Sequence, residues 1–464
     1  MRKSGLIVQL PLFEPSSISG WLVCEEESGL NENEHIEHDQ QGQENVRDRM
    51  FNPWRMPVTP EAMDLVQRVL MELQEYEQRH QVRKRRRREA DQQVFEETVA
   101  AVVSDAAHHY LTEWPGGVSI PRSNRYLGRR SRYRPTVYSK ILPDILDCLA
   151  DEEMGIITQA LGHKGYFGPA KLTTINAGEV LARRLKDAGL DYLHFGIRPG
   201  QEVIHLKRTK EDHWDEGELI EYDDTPETDA FREQVQLINA WLQAAEIDFD
   251  EYHSPEGQPV DPHDRHLRRV FTQGRFDSGG RLFGGFWQSL KKKQRLEGVT
   301  ISGESVVELD YGQMNPRLLY ALCGEQPPEQ DAYDIPGYSM YRKGVKKIMN
   351  AMMFTTKRLT RMPQGVRKEF EEKFRVGSVM QAIELAHPAI KDSFFKGIGH
   401  DLQFMESQIL VDVLLQLRGL GVVALPIHDS IIVRESKKYV AKEVMLSCFS
   451  SQAGVSGIVE EVGQ

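Results

Sequence analysis

The chain has 464 residues, 40% of them apolar, and a formal net charge of −12. That length suits two to four domains with a core in each, and no stretch approaches the roughly 18 uninterrupted apolar residues of a membrane span. Cys24, Cys148, Cys323 and Cys448 are too far apart for a disulfide framework or a zinc pattern. They read as free thiols in a reducing, cytoplasmic compartment.

Residues 1–20 open with basic residues and an apolar stretch, as a signal peptide does, but Gln9 and Pro11 interrupt the run and no small-residue cleavage site follows. Residues 21–59, with CEEESGLNENEHIEHD at their start, are polar and acidic and read as a disordered linker. From Pro60 to about Ala107 the spacing predicts helix, with Leu65, Val69, Leu70 and Leu73 on one face. Within it lies RKRRRR (83–88), either a solvated face or a phosphate contact. PRSNRYLGRRSRYRPT (121–136) interleaves arginines with Tyr126 and Tyr133, which suits a loop gripping a nucleic-acid backbone and equally an ordinary surface loop. Residues 60–135 thus form a helical basic region. Local fields of this kind matter more to a polyanion than the overall negative charge.

Residues 136–207 order themselves as a helix (137–154), a β-branched segment (155–162), a Gly/Tyr/Phe turn (163–172) and a second helix (173–190) capped by Thr173 or Thr174. That order is compatible with a winged-helix or thumb-like DNA-binding module. An acidic linker, 208–229, leads to the C-terminal region 230–464. There VVELDYGQMNPRLLYAL (306–322) predicts a short strand ending on Asp310 and a helix from Asn315. GVVALPIHDSIIV (421–433) predicts two apolar strands broken by His428-Asp429. An acid at the tip of a buried hairpin is costly unless it is used. Two strand-borne aspartates separated by a helical region are what a two-metal site needs, and hard oxygen ligands suit Mg²⁺. On the helix predicted between them, Arg342, Lys346 and Phe354 fall at spacings of 4 and 8 and share one face.

Together these segments resemble motifs A, B and C of family A DNA polymerases. DYGQMNPR keeps Asp310, Tyr311, Gln313 and Arg317 of motif A. Arg342, Lys346 and Phe354 are similar to motif B, and His428-Asp429-Ser430 to motif C. GGRLFGGFWQ (279–288) resembles the segment whose arginine reaches the primer–template minor groove, here Arg281. The resemblance covers about 275–435. It implies an α+β right-hand polymerase with palm and fingers in the C-terminal half, behind a mostly helical N-terminal region. It further implies two Mg²⁺ ions (or Mn²⁺) on Asp310, Asp429 and the Tyr311 carbonyl. Arg342, Lys346, Asn350, Phe354 and Asn315 would meet the nucleoside triphosphate, and Arg281, Gln288, Arg317 and His428 the primer–template DNA.

Where this chain departs from the pattern, sugar choice stays open. Asn315 replaces the motif A glutamate, Phe354 and Thr355 replace Tyr-Gly, and Ser430 gives the H-D-S form of single-subunit phage-type RNA polymerases. Gln9, Leu10, Leu12 and Phe13 resemble the Q-L-x-L-F peptide that docks bacterial replication proteins on the sliding clamp, which favours DNA synthesis in a bacterial or bacteriophage nucleoid. DFDEY (248–252) has no companion motifs and reads as surface rather than proofreading exonuclease. An RNA-making or primase-like enzyme is the first alternative, and a non-catalytic DNA-binding replication or defence factor the second.

Overall fold

A computed structural model describes residues 48–462 apart from 84, 164–170, 211–214, 216 and 256–259. Helix and sheet are mixed throughout the described residues. The buried apolar side chains fall into two clusters, Phe51 to Phe195 and Val203 to Val459. The clamp-like peptide at Gln9, Leu10, Leu12 and Phe13 lies outside the described residues.

The first cluster gathers around helices Pro60–Arg79 and Glu89–Leu111. Thr59 caps the first helix by accepting from the Ala62 N–H at 3.4 Å, with Pro60 in the first turn. Leu65, Val69, Leu70 and Leu73 are buried on one face, as their spacing predicts. The pattern expected to run on to Ala107 is split, however. Gln81 takes a left-handed φ of 50°, and the basic run becomes the connection between two helices. Six like charges in succession would repel one another along a continuous helix, which disfavours helical continuity there.

A four-stranded sheet completes this lobe in the order Arg49–Met50, Val118–Ile120, Thr173–Ala177, Ile157–Ala160. Two expectations are corrected by it. Thr173–Ala177 is strand rather than the start of a helix, because its β-branched residues pair on both sides. The helix begins at Glu179, after Gly178. The end of the supposed linker 21–59 is also folded: Arg49 grips the buried Asp105 through two 3.0 Å contacts, and Phe51 enters the core. Because strand Val118–Ile120 pairs with Thr173–Ala177, the division expected at 135/136 runs through one sheet. Tyr222 and Asp224, in the stretch 208–229 expected as an acidic linker, dock back. Arg132 and Arg232 both reach Asp224, and Tyr222 donates to the Ile204 carbonyl at 3.2 Å.

The second lobe is organised on strand Glu304–Tyr311. The hairpin Ala424–Ile427 and Ser430–Arg434 pairs antiparallel on one side of it. On the other side lie Val299–Ile301 and, at the far end, Val459–Glu461. Ile247–Phe249, within which the DFDEY acids begin, is the edge strand beyond Val299–Ile301. Helix Gly399–Gly419 packs behind the sheet, against strand Gly279–Phe283 and helices Met314–Leu322 and Lys438–Ala453.

Candidate active site

Strand Glu304–Tyr311 places Asp310 one residue from its end, directly opposite Ser430. Asp429 fills the two-residue turn immediately before Ser430, and its carbonyl accepts from the Tyr311 N–H at 3.3 Å. Pairing of the two strands therefore brings together aspartates more than a hundred residues apart. The turn is held from several directions. The Trp287 indole N–H and the Gln288 amide each donate to the Pro426 carbonyl at 2.9 Å. The Ser430 hydroxyl lies 3.1 Å from both the Ile427 carbonyl and Glu308 Oε1. His428 adopts a left-handed φ of 50° and sets its ring edge-on to Phe283 at 5.8 Å.

Charges are crowded here. Burial first, and then repulsion from Asp429, push the Asp310 carboxyl up to about 8, with Lys346 pulling the other way. Burial and the nearby Arg281 cation lower His428 to about 4, so its ring is neutral at pH 7. Glu308, two residues before Asp310, is buried and paired with Arg295 at 3.1 Å. Glu406, buried in the long helix, is raised by burial against the pull of Arg281, which it meets at 2.7 and 3.0 Å.

The basic helix is Arg342–Phe354. Arg342 is ion-paired with Asp331 and lies 5.3 Å over the Tyr333 ring. The buried Tyr333 phenol is raised above its ordinary range by burial and then by Asp429. Asn350 Oδ1 accepts from Asn315 Nδ2 at 3.4 Å, while Asn315 Oδ1 is buried with no partner among the described residues. Phe354 sits edge-on to His400 at 5.1 Å and directly over Gly399.

Asp310, Asp429, Lys346, Arg342, Arg281 and His428 thus gather at one end of the sheet, with Asn315, Asn350 and Phe354 on the adjoining helices. Two residues expected at the primer–template, Arg317 and Gln288, make contacts within the protein. Arg317 is 4% exposed and donates to the Ser456 carbonyl at 2.8 Å, since the helix face it occupies turns inward. The Gln288 amide is taken up by Leu282, Pro426 and Gly284. Tyr311 buries its ring and donates to the Met445 carbonyl at 2.7 Å. The sequence reading passed over Glu308, Glu406, Arg295 and Tyr333. Only Glu308 left a signal, an acid on the same strand face as Asp310.

Among the described residues no group of three or more His, Cys, Asp or Glu side chains is arranged to hold a metal ion. The Asp310–Asp429 pair still suits a divalent cation by the chemistry of its donors. Hard carboxylate oxygens held together against their own repulsion gain from a cation between them.

No protein-family model matches the chain, and no curated protein matches it. Among solved structures, it is similar to the POL domain of Pol1 from M. smegmatis in complex with DNA primer-template and dNTP. The identity is 10% over 84% of this chain and 77% of that chain, with a TM-score of 0.29. At that score the likeness carries no weight, and any functional reading rests on the chain's own residues.

Proposed function

We propose that the chain is a template-directed DNA polymerase that adds deoxynucleotides to a primer 3′ end. The observation that carries this reading is the meeting of Asp310 and Asp429 at paired strand ends, beneath a helix that sets Lys346 against Asp310. In this reading the sheet and long helix are the palm and Arg342–Phe354 belongs to the fingers. Asp310, Asp429 and the Tyr311 carbonyl would hold two divalent cations, Mg²⁺ or Mn²⁺. Those cations supply charge neutralisation for the attacking 3′-hydroxyl and the departing pyrophosphate.

The remaining work is positioning and electrostatics. Lys346 and Arg342 receive the triphosphate, Arg342 exchanging Asp331 for a phosphate as the nucleotide enters. Phe354, backed by Gly399, stacks against the nascent base pair, and Asn350 helps to place the sugar with Asn315. Neutral His428 faces the primer end, and Arg281, steadied by Glu406, reaches the primer–template. The N-terminal Gln9, Leu10, Leu12 and Phe13 would tether the enzyme to a bacterial sliding clamp through two apolar anchors.

One observation favours a second reading, ribonucleotide polymerisation. The orphaned Asn315 Oδ1 could accept a hydrogen bond from a ribose 2′-hydroxyl. Extension of a labelled primer with deoxy- or ribonucleotides in Mg²⁺ separates the two. Deoxynucleotide extension by the wild type and none by Asp429→Ala is the expected result. Equal inertness of both proteins with either sugar would sink the polymerase reading and favour a non-catalytic DNA-binding factor.

A further inference from the structure

The connection between the first two helices carries a charge pattern that the active site does not use. Arg87, near its end, is fixed. Its guanidinium grips Glu77 at 2.5 and 2.7 Å and lies 3.4 Å over the Phe95 ring. With Arg87 turned inward, Arg83, Arg85, Arg86 and Arg88 are exposed, and none has an ion pair among the described residues. Elsewhere in this lobe several arginines are matched: Arg49, Arg122, Arg132, Arg184 and Arg198 each meet a carboxylate. Arg134 lies over the Tyr126 and Tyr138 rings. Arg122, Arg132 and Arg134 of the basic 122–134 segment are thus spent on internal structure, whereas among the described residues of the 83–88 run only Arg87 is so held.

Four unmatched guanidinium groups side by side repel one another, a cost that a line of phosphates would reverse. The character of the run narrows the partner. No aromatic side chain lies between Gln81 and Arg88, so the stacking platforms typical of single-strand binders are missing. Nor does the run carry the large apolar residues with which a basic segment seats itself in a lipid surface. We infer that Arg83, Arg85, Arg86 and Arg88 form a sequence-independent docking surface for the sugar–phosphate backbone of duplex DNA, anchored by Arg87. This rests on the polymerase reading for its partner and adds a second, non-catalytic contact from the N-terminal lobe.

Salt dependence tests it on the full chain. Binding to a fluorescent primer–template with a long duplex arm is measured by anisotropy at several salt concentrations, for the wild type, for R83Q/R85Q/R86Q/R88Q and for the corresponding four-lysine variant. Each lost phosphate contact lowers the log–log slope by about 0.9, so the glutamine variant is expected to be shallower by about 3 to 4. From 50 to 200 mM salt the wild type should then lose about 100-fold more affinity than that variant. The lysine variant should keep the wild-type slope, since a point charge suffices for a phosphate. Extension of a short primer–template at saturating concentration should be unaffected in both. An unchanged slope in the glutamine variant, with extension intact, overturns the docking surface while leaving the polymerase standing. Tighter binding of the run to anionic phospholipid vesicles or to single strands than to duplex overturns it as well. A wild type that extends no primer defeats the polymerase reading, whatever the slopes.

Discussion

Burial and Asp429 raise the Asp310 carboxyl to about 8, whereas an aspartate in an unfolded chain ionises near ~4. Between those values the native state holds a proton that the unfolded state has lost. Stability therefore falls as pH rises through this window, and the deficit is complete above the folded value. Metal-free Asp310→Asn should accordingly melt several degrees above the wild type at pH 8, with the gap closing toward pH 4. Scanning fluorimetry across that range checks this, and coincident melting curves at pH 8 would contradict the raised carboxyl. On the proposed function, a cation bound at Asp310 would displace the same proton, and apparent Mn²⁺ affinity should then climb about tenfold per unit between pH 6 and 8. Stabilisation by Mn²⁺ should be largely lost in Asp310→Asn. Glu308 acts one step away: it touches the Ser430 hydroxyl and so steadies the turn that carries Asp429.

At the scale of elements, helix Arg342–Phe354 is set by what lies beneath its last residue. A Cβ on Gly399 would stand 2.4 Å from the Phe354 ring, and the helix following Gly399 is fixed by the core. The ring must move. On the proposed function, Gly399→Ala is expected to raise the nucleotide KM about tenfold in single-nucleotide incorporation, on the scale of a displaced positioning contact. In a double-mutant cycle, Phe354→Ala should then add little to Gly399→Ala. Full additivity of the two changes would show that Gly399 does not act through the ring. The same logic of support explains why Trp287, fully buried and bonded to Pro426, belongs to the hairpin rather than to a substrate surface.

Across the whole molecule, a buried polar junction joins the two cores. Asp261 meets Arg55 at 3.3 Å and His108 at 3.1 Å, and Glu202 meets Arg132 and Arg232 at 3.2 Å. Burial opposes ionisation of Asp261, yet His108 and Arg55 hold it well below the usual carboxylate range. A depressed carboxylate contributes stability above its unfolded value near ~4 and loses it as the pH falls further. Removing it strands Arg55 and Arg49 around Asp105 with less negative charge between the lobes. Asp261→Ala should cost on the order of 3 kcal/mol and broaden or split the calorimetric transition at pH 7. A single unchanged transition would mean that the lobes are held by other contacts.

Local chemistry makes much of this legible in the sequence. The apolar runs VVEL and SIIV, the apolar face of Leu65, Val69, Leu70 and Leu73, and the spacing of Arg342 and Lys346 all depend on residues within a few turns of one another. Such patterns survive in a linear reading. Long-range pairing does not: that Thr173–Ala177 is a strand follows from partners at Val118–Ile120 and Ile157–Ala160, which override its helix-cap signal. The inward turn of Arg317, the pairing of Glu406 with Arg281 and the capture of Arg122, Arg132 and Arg134 by internal partners are of the same kind. Residue type and spacing single out Asp310 and Asp429 as acids at strand ends. Their meeting, and the rise in the Asp310 carboxyl that follows from it, depend on strand register and burial, which exist only once the chain has closed on itself.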